Sequence, residues 1–137
     1  MRQLDVFLGD NLVGHVVENR KGGRFEYEKS VADKLAGRPV LSMAFPAKGR
    51  PFGEAKTSAW FNGLLPEGSR RDEICRSLGV SPYDWIGLLA EIGWECAGAV
   101  RVFERGHKRA RELRFEAISP SALAEKLSSV TARLPRV

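Results

Sequence analysis

Residues able to attack, carry a proton or bind a metal are few and scattered in this 137-residue sequence. Its two histidines, His15 and His107, stand far apart, one in an apolar alternating run and the other in a polar loop. Neither has a second histidine, a cysteine or a carboxylate at metal-ligand spacing, so no metal is expected. Cys75 and Cys96 form no Cys-x-x-Cys pair and sit among apolar neighbours, which reads as two reduced, buried, small hydrophobes. Gly22-Gly23 and Gly49-Arg50-Pro51-Phe52-Gly53 lack the Gly-Lys-Ser/Thr ending of a phosphate loop and the spacing of a dinucleotide site. No serine lies in a Gly-x-Ser-x-Gly elbow, no histidine neighbours Cys75, and no Asp-centred kinase loop is present. A carboxylate pair assembled from distant positions stays open, because acids far apart in a chain can meet in space. The expectation is a chain with no catalytic residues and no cofactor.

Binding chemistry is better represented. Arg70, Arg71 and Arg76 lie around one helical segment, and Lys108, Arg109, Arg111 and Arg114 cluster further on. Two helical segments split by Leu78-Gly79-Val80-Ser81 have the outline of a helix-turn-helix. A recognition helix must offer exposed polar side chains to base edges, whereas the second segment offers Tyr83, Asp84, Trp85, Gly87 and Glu91 around an apolar stripe. The arginines therefore read as a solvated basic face. Among the aromatics, Phe61 and Trp85 fall at helical spacing with leucines and read as core. Trp60, in the first turn of a helix after a Gly/Pro-rich loop, and Trp94, just past a helix stop, are the candidate partner anchors.

The frame that positions these residues is a small soluble domain. Apolar residues make up 43% and charged residues 28%, with a net charge of +5 that suits an acidic partner without requiring one. The first residues lack the long apolar stretch of a secretory signal, and no run is long enough to span a bilayer, so the reading is cytoplasmic. Leu4, Val6 and Leu8 alternate with polar or aromatic positions, Gly9-Asp10-Asn11 turns the chain, and Leu12 to Glu18 continues as a second strand. Lys21-Gly22-Gly23 turns it again before a third strand from Arg24 to Glu28, and Val31 to Leu35 forms one helical turn. Pro39 to Phe45 is expected as a fourth extended run. Helices are then expected around Trp60 to Leu65, from Ser69 (as N-cap) to Gly79, and from Ser81 (as N-cap, with Pro82 at the first position) to Gly93. Gly98 to Phe103 returns to strand. Glu112 to Ala117 and a helix opened by Ser119-Pro120, carrying Leu123, Leu127 and Val130, follow a basic connector. The expected fold class is α+β, a small antiparallel sheet packed against a cluster of about three helices, with a C-terminal strand/helix appendage. Residues 1–105 form the module, and residues 106–137 the connector and short helix.

Four segments, in order over roughly residues 1–105, carry a resemblance to the HipA family. Leu4-Asp5-Val6-Phe7-Leu8-Gly9-Asp10-Asn11-Leu12-Val13-Gly14 is similar to the family's opening strand-turn-strand. Pro39-Val40-Leu41-Ser42-Met43-Ala44-Phe45-Pro46 resembles its P-L-S-L-S-L-P segment. Phe61-Asn62-Gly63-Leu64-Leu65-Pro66-Glu67-Gly68 resembles F-x-N-L-L-P-(E/D), and Leu88-Leu89-Ala90-Glu91-Ile92-Gly93 with Ala97-Gly98-Ala99-Val100 resembles L-L-x-x-I-G-x-D-x-x-G-A-V. The chain departs from the pattern at Trp94-Glu95, where the family carries Arg-Asp, so whatever contact that arginine makes does not transfer.

The resemblance implies a type II toxin–antitoxin system whose toxin is a serine/threonine kinase and whose HipB-like antitoxin binds operator DNA. It matches the N-terminal subdomain, which lies against the kinase core. The phosphate loop, catalytic Asp and metal-binding Asp are not carried over, so ATP binding and phosphotransfer are not implied for these residues. Two readings stay open: a separate HipS-like protein that neutralises a HipT-like kinase, or the N-terminal part of a full-length HipA kinase that contacts a HipB-like antitoxin. The first is preferred. A DNA-binding accessory is the third, with DNA otherwise met only indirectly through the complex. The residues assigned to partner binding are Trp60, Phe61, Asn62, Glu67, Arg70, Arg71 and Trp94. Docking there would hold a kinase inactive or block its site.

Overall fold

In the computed structural model, which describes residues 1–95 and 99–106, the alternation at the chain start produces strand β1 (Gln3–Leu8). Two tight turns then lead through β2 (Asn11–Asn19) into β3 (Gly22–Tyr27). The first turn needs a left-handed residue, which Gly9 supplies with φ 62°. The last described strand, β4 (Val100–Glu104), returns to pair with β1, giving an antiparallel sheet in the order β3-β2-β1-β4. Leu4, Val6, Val16, Phe25 and Val102 face a core made with the helices. The opposite face carries Asp5, Phe7, His15 and Phe103, with the Phe7 and Phe103 rings edge-on at 5.5 Å. The ladder shifts register between Val6 and Phe7, beside Gly14. A Cβ at Gly14 would lie 2.4 Å from the Glu26 carbonyl oxygen, so only glycine lets β2 and β3 close there.

Four helices occur among the described residues: α1 (Lys29–Lys34), α2 (Glu54–Asn62), α3 (Gly68–Leu78) and α4 (Trp85–Ile92), the last running into a 3-10 turn at Gly93–Glu95. The expected α+β class is therefore what the chain forms. α2 lies along β3 and closes that edge of the sheet. The Phe25 N–H donates to Thr57 Oγ1 at 3.1 Å, and the Phe25 carbonyl accepts from the Phe52 N–H at 2.8 Å. An edge covered in this way offers no free ladder to another chain. Packed on it, Phe25, Tyr27, Phe45, Phe52 and Phe61 form one aromatic cluster, and Trp85 stacks on Phe61 at 6.0 Å.

Three expectations are corrected. Pro39 to Phe45 is not a strand but a closed loop. Pro39 bridges Pro46, Ala47 N–H donates to the Arg38 carbonyl at 2.8 Å, and Phe45 N–H donates to the Ser42 carbonyl at 2.9 Å. Its apolar residues point inward because the Tyr27 hydroxyl, buried under the loop, donates to the Phe45 carbonyl and accepts from Leu41 N–H at 3.1 Å. The helix around Trp60 begins earlier, at Glu54, and ends at Asn62. Beyond it, Leu64 and Leu65 bond three residues back in a tightened turn. Finally, neither Ser69 nor Ser81 is an N-cap. α3 starts at Gly68 without a side-chain cap, and α4 is capped by Asp84, which accepts from Gly87 N–H at 3.1 Å. Ser81 instead closes the preceding turn by accepting from Tyr83 N–H. The expected C-terminal appendage, its basic cluster, His107 and Cys96 lie outside the described residues.

Candidate functional site

Among the described residues, two titratable clusters tie elements of the fold together. His15 sits between two carboxylates, with Nδ1 3.1 Å from Asp5 Oδ1 and Nε2 2.7 Å from Glu28 Oε1. Burial alone would lower its pKa, but the hydrogen bonds to Asp5 and Glu28 outweigh it and push the value up to about 9. With both ring nitrogens engaged, His15 is a clasp between β1, β2 and the start of α1 rather than a general base. The pairing was invisible in the sequence spacing because it arises from strand register, Asp5 standing directly opposite His15. Arg2 similarly joins Glu18 at 2.6 Å and Asp84 at 2.9 Å, and holds both carboxyls below their usual range. Cys75 is a free, buried thiol, as the sequence suggested. No group of three or more ligating side chains able to hold a metal occurs among the described residues.

The distinctive surface is built around α3. This eleven-residue helix buries only Cys75, whereas α4, with eight, buries five residues from Trp85 to Leu89. Short helices are marginal in water and normally owe their stability to a buried face, so α3 lacks most of what usually holds a helix. A cleft lies on either side of it. One, of about 520 Å3, is lined by Asn62, Glu67, Arg71, Asp72 and Tyr83. The other, of about 600 Å3, is floored by Leu64, Leu65, Ile74, Leu78 and Ile92, with Arg70 and Glu95 on its walls.

Four of the seven residues assigned from the sequence line these clefts, and a fifth, Trp94, adjoins the lining residue Glu95. Asn62 is locked by donating from Nδ2 to the Ser58 carbonyl at 2.8 Å, which turns its Oδ1 toward Arg71 Nη1 at 3.0 Å. The Arg71 Nε–H is buried without an acceptor among the described residues, and Glu67 lines the same cleft. Arg70 lies across the helix on the apolar cleft. Trp94, 48% exposed and held by its indole N–H donating to the Glu91 carbonyl at 3.1 Å, stands next to Glu95 at the far lip. The other two residues are placed elsewhere. Trp60 is half-buried against Phe45, with ring centres 5.6 Å apart. Phe61 is fully buried beneath Trp85 and cannot touch a partner, because its position faces the sheet. Sequence reasoning missed Tyr83, the most exposed large apolar residue of the described chain at 92%, and Leu78, 40% exposed. Leu78 carried a signal, since its helix had no second leucine stripe to bury it. The helix-turn-helix outline also fails in space, because α4 is buried along most of its length and presents no side to a groove.

Known proteins resemble the chain over this same region. The family model described as HipA N-terminal domain matches residues 4–103. The protein Y4mE of Sinorhizobium fredii is 34% identical over 103 residues, 74% of this chain and 24% of its own length. The serine/threonine-protein kinase toxin HipA of Shewanella oneidensis is 29% identical over 103 residues, 75% of this chain and 23% of its own length. The chain thus spans about a quarter of these two relatives. A Haemophilus influenzae protein is 28% identical over 104 residues, covering 76% of this chain and 93% of that protein. In fold, the chain matches a solved N-terminal domain of HipA toxin with a TM-score of 0.57 and 24% identity, over 79% of this chain and 96% of that one.

Proposed function

Since the chain belongs to the HipA N-terminal domain family, we propose that it is a non-catalytic docking module that binds a HipA-type serine/threonine kinase and neutralises it. The observation that carries this reading is α3, a helix with one buried side chain between two clefts lined by Asn62, Glu67, Arg70 and Arg71, with the exposed Trp94 next to the lining residue Glu95. A helix so little covered by the described residues leaves its surface open to another protein, and exposed aromatic and arginine side chains beside apolar clefts are the usual anchors of interfaces. The family model that matches describes an N-terminal domain, which supports a binding role for these residues. The Haemophilus influenzae relative, matched over nearly its whole length, supports a separate HipS-like protein acting on a HipT-like kinase.

A second reading is favoured by the Sinorhizobium and Shewanella relatives. In them the matched region is about a quarter of a longer protein, so the same surface would serve as the N-terminal subdomain of a kinase and meet a HipB-like antitoxin. DNA is then approached only through the complex. In either case the setting is cytoplasmic. No described helix is long and apolar enough to cross a membrane.

Co-expression with the neighbouring kinase, followed by pull-down, size exclusion with light scattering, and a growth assay, tests the proposal. A 1:1 complex with rescued growth supports neutralisation by a separate module. A kinase sequence continuing in frame from this chain supports the second reading. Absence of any complex, with no such continuation, overturns both.

A further inference from the structure

Resting on that docking reading, we propose that the apolar cleft beside α3 receives a single amphipathic helix of the kinase partner, its acidic flank toward α3 and its basic flank toward the 3-10 turn. The cleft follows the stripe Arg70, Ile74, Leu78 along α3, a run of about 12 Å at the helical rise of about 1.5 Å per residue. Across from it lie Leu64 and Leu65 of the α2–α3 turn and Ile92 at the end of α4. Its walls are helix and turn side chains, with no strand edge to extend, so an incoming strand would find no ladder there. An apolar helix face fits instead, with teeth one turn apart.

Charge sets the orientation. Arg70 stands on the α3 wall and Glu95 on the opposite one, and neither forms an ion pair among the described residues. Arg70 also lies in the first turn of α3, while the acidic N-cap residue Glu67 lines the other cleft and does not face this one. A carboxylate on the occupant therefore gains most on the α3 side. On the Glu95 side the favoured partner is a cation, and the exposed Trp94 ring beside it gives that cation an aromatic face.

The test uses the full chain and its co-purified kinase. Leu78→Asp changes an exposed position and is expected to weaken the complex by roughly tenfold or more. Arg70→Glu and Glu95→Lys are each expected to weaken it by about threefold to about tenfold, with the larger effect at low salt. Val17→Asp, on the exposed part of the other sheet face, leaves affinity unchanged. Hydrogen exchange on the wild-type complex serves as a second readout that needs no variant, with protection expected at residues 68–78 and 92–95. Wild-type affinity in Leu78→Asp, or protection confined to the outer sheet face, overturns this inference while leaving the docking reading intact. A wild-type chain that binds no kinase removes the docking reading, and this inference with it.

Discussion

The guanidinium of Arg2 and the carboxylate of Asp84, 82 positions apart in the chain, meet in a two-point contact with both N–O distances at 2.9 Å. The same carboxylate caps α4 through Gly87 N–H. One side chain thus fixes where the most buried helix begins and where the first strand enters the sheet. About a third of each side chain is exposed, so the ion pair itself contributes little and the cap contributes more. Asp84→Ala is expected to cost about 1–2 kcal/mol, mainly from the lost cap, and Asp84→Asn less, because it keeps an acceptor. Urea denaturation of the two variants checks the order. Both Asp84 and Glu18 titrate below their usual range, so their contribution is present above the ordinary carboxylate pKa and is lost as pH falls through the lowered values.

His15 behaves in the opposite sense. Its folded pKa of about 9 lies above the ordinary 6.5, so the clasp with Asp5 and Glu28 stabilises fully below the ordinary value and is lost as pH rises through about 9. Denaturation midpoints measured from about pH 6 to about pH 10 should fall across that window, and His15→Gln should flatten the decline. A wild-type profile with no slope there would contradict the clasp.

Tyr27→Phe removes one hydroxyl that serves two backbone groups of the Pro39–Phe45 loop. The Leu41 N–H and Phe45 carbonyl are left beneath that loop without their partner, at an expected cost of about 1–3 kcal/mol. Limited proteolysis should cut within residues 38–47 of the variant before it cuts elsewhere. Burial also pushes the phenol's pKa up to about 12, so ultraviolet titration should find Tyr27 ionising only near that pH.

Phe61 and Trp94 separate folding from recognition. Phe61→Ala empties the centre of the aromatic cluster and should destabilise the chain by about 3–5 kcal/mol. Trp94→Ala, at a half-exposed position, should leave thermal stability within about 0.5 kcal/mol of wild type yet weaken kinase binding. Thermal melts beside pull-downs read both effects.

Where local chemistry decides the outcome, the sequence was legible. The alternation at Leu4, Val6 and Leu8 formed β1, and Gly79 ended α3 in the left-handed conformation expected of a helix stop. The family resemblance identified from four short segments was matched over residues 4–103. Legibility failed where a distant group decides. Pro39 to Phe45 has the composition of a strand, but Tyr27 from another element pins it as a loop. Ser81 has the chemistry of a cap, yet Arg2 positions Asp84 to do that work three residues later. The same limit applies to the surface. Asn62, Glu67, Arg70 and Arg71 were readable as neighbours of one helix start, but their division between two clefts depends on how α3 sits over the α2–α3 turn. Phe61 is adjacent to Trp60 in sequence and their rings meet at 4.9 Å, yet Phe61 is fully buried while Trp60 is only half-buried.

Because α3 buries only Cys75, with Ile74 packed partly on the core, Arg71 tied to Asn62 and Gly79 at its end, mutations at its remaining positions meet little resistance from stability. If α3 docks the kinase as proposed, a lineage can rewrite its exposed positions, and duplicated copies can diverge in partner choice while their sheets and aromatic cores stay the same. Insulation between parallel systems would then reside in roughly three turns of helix.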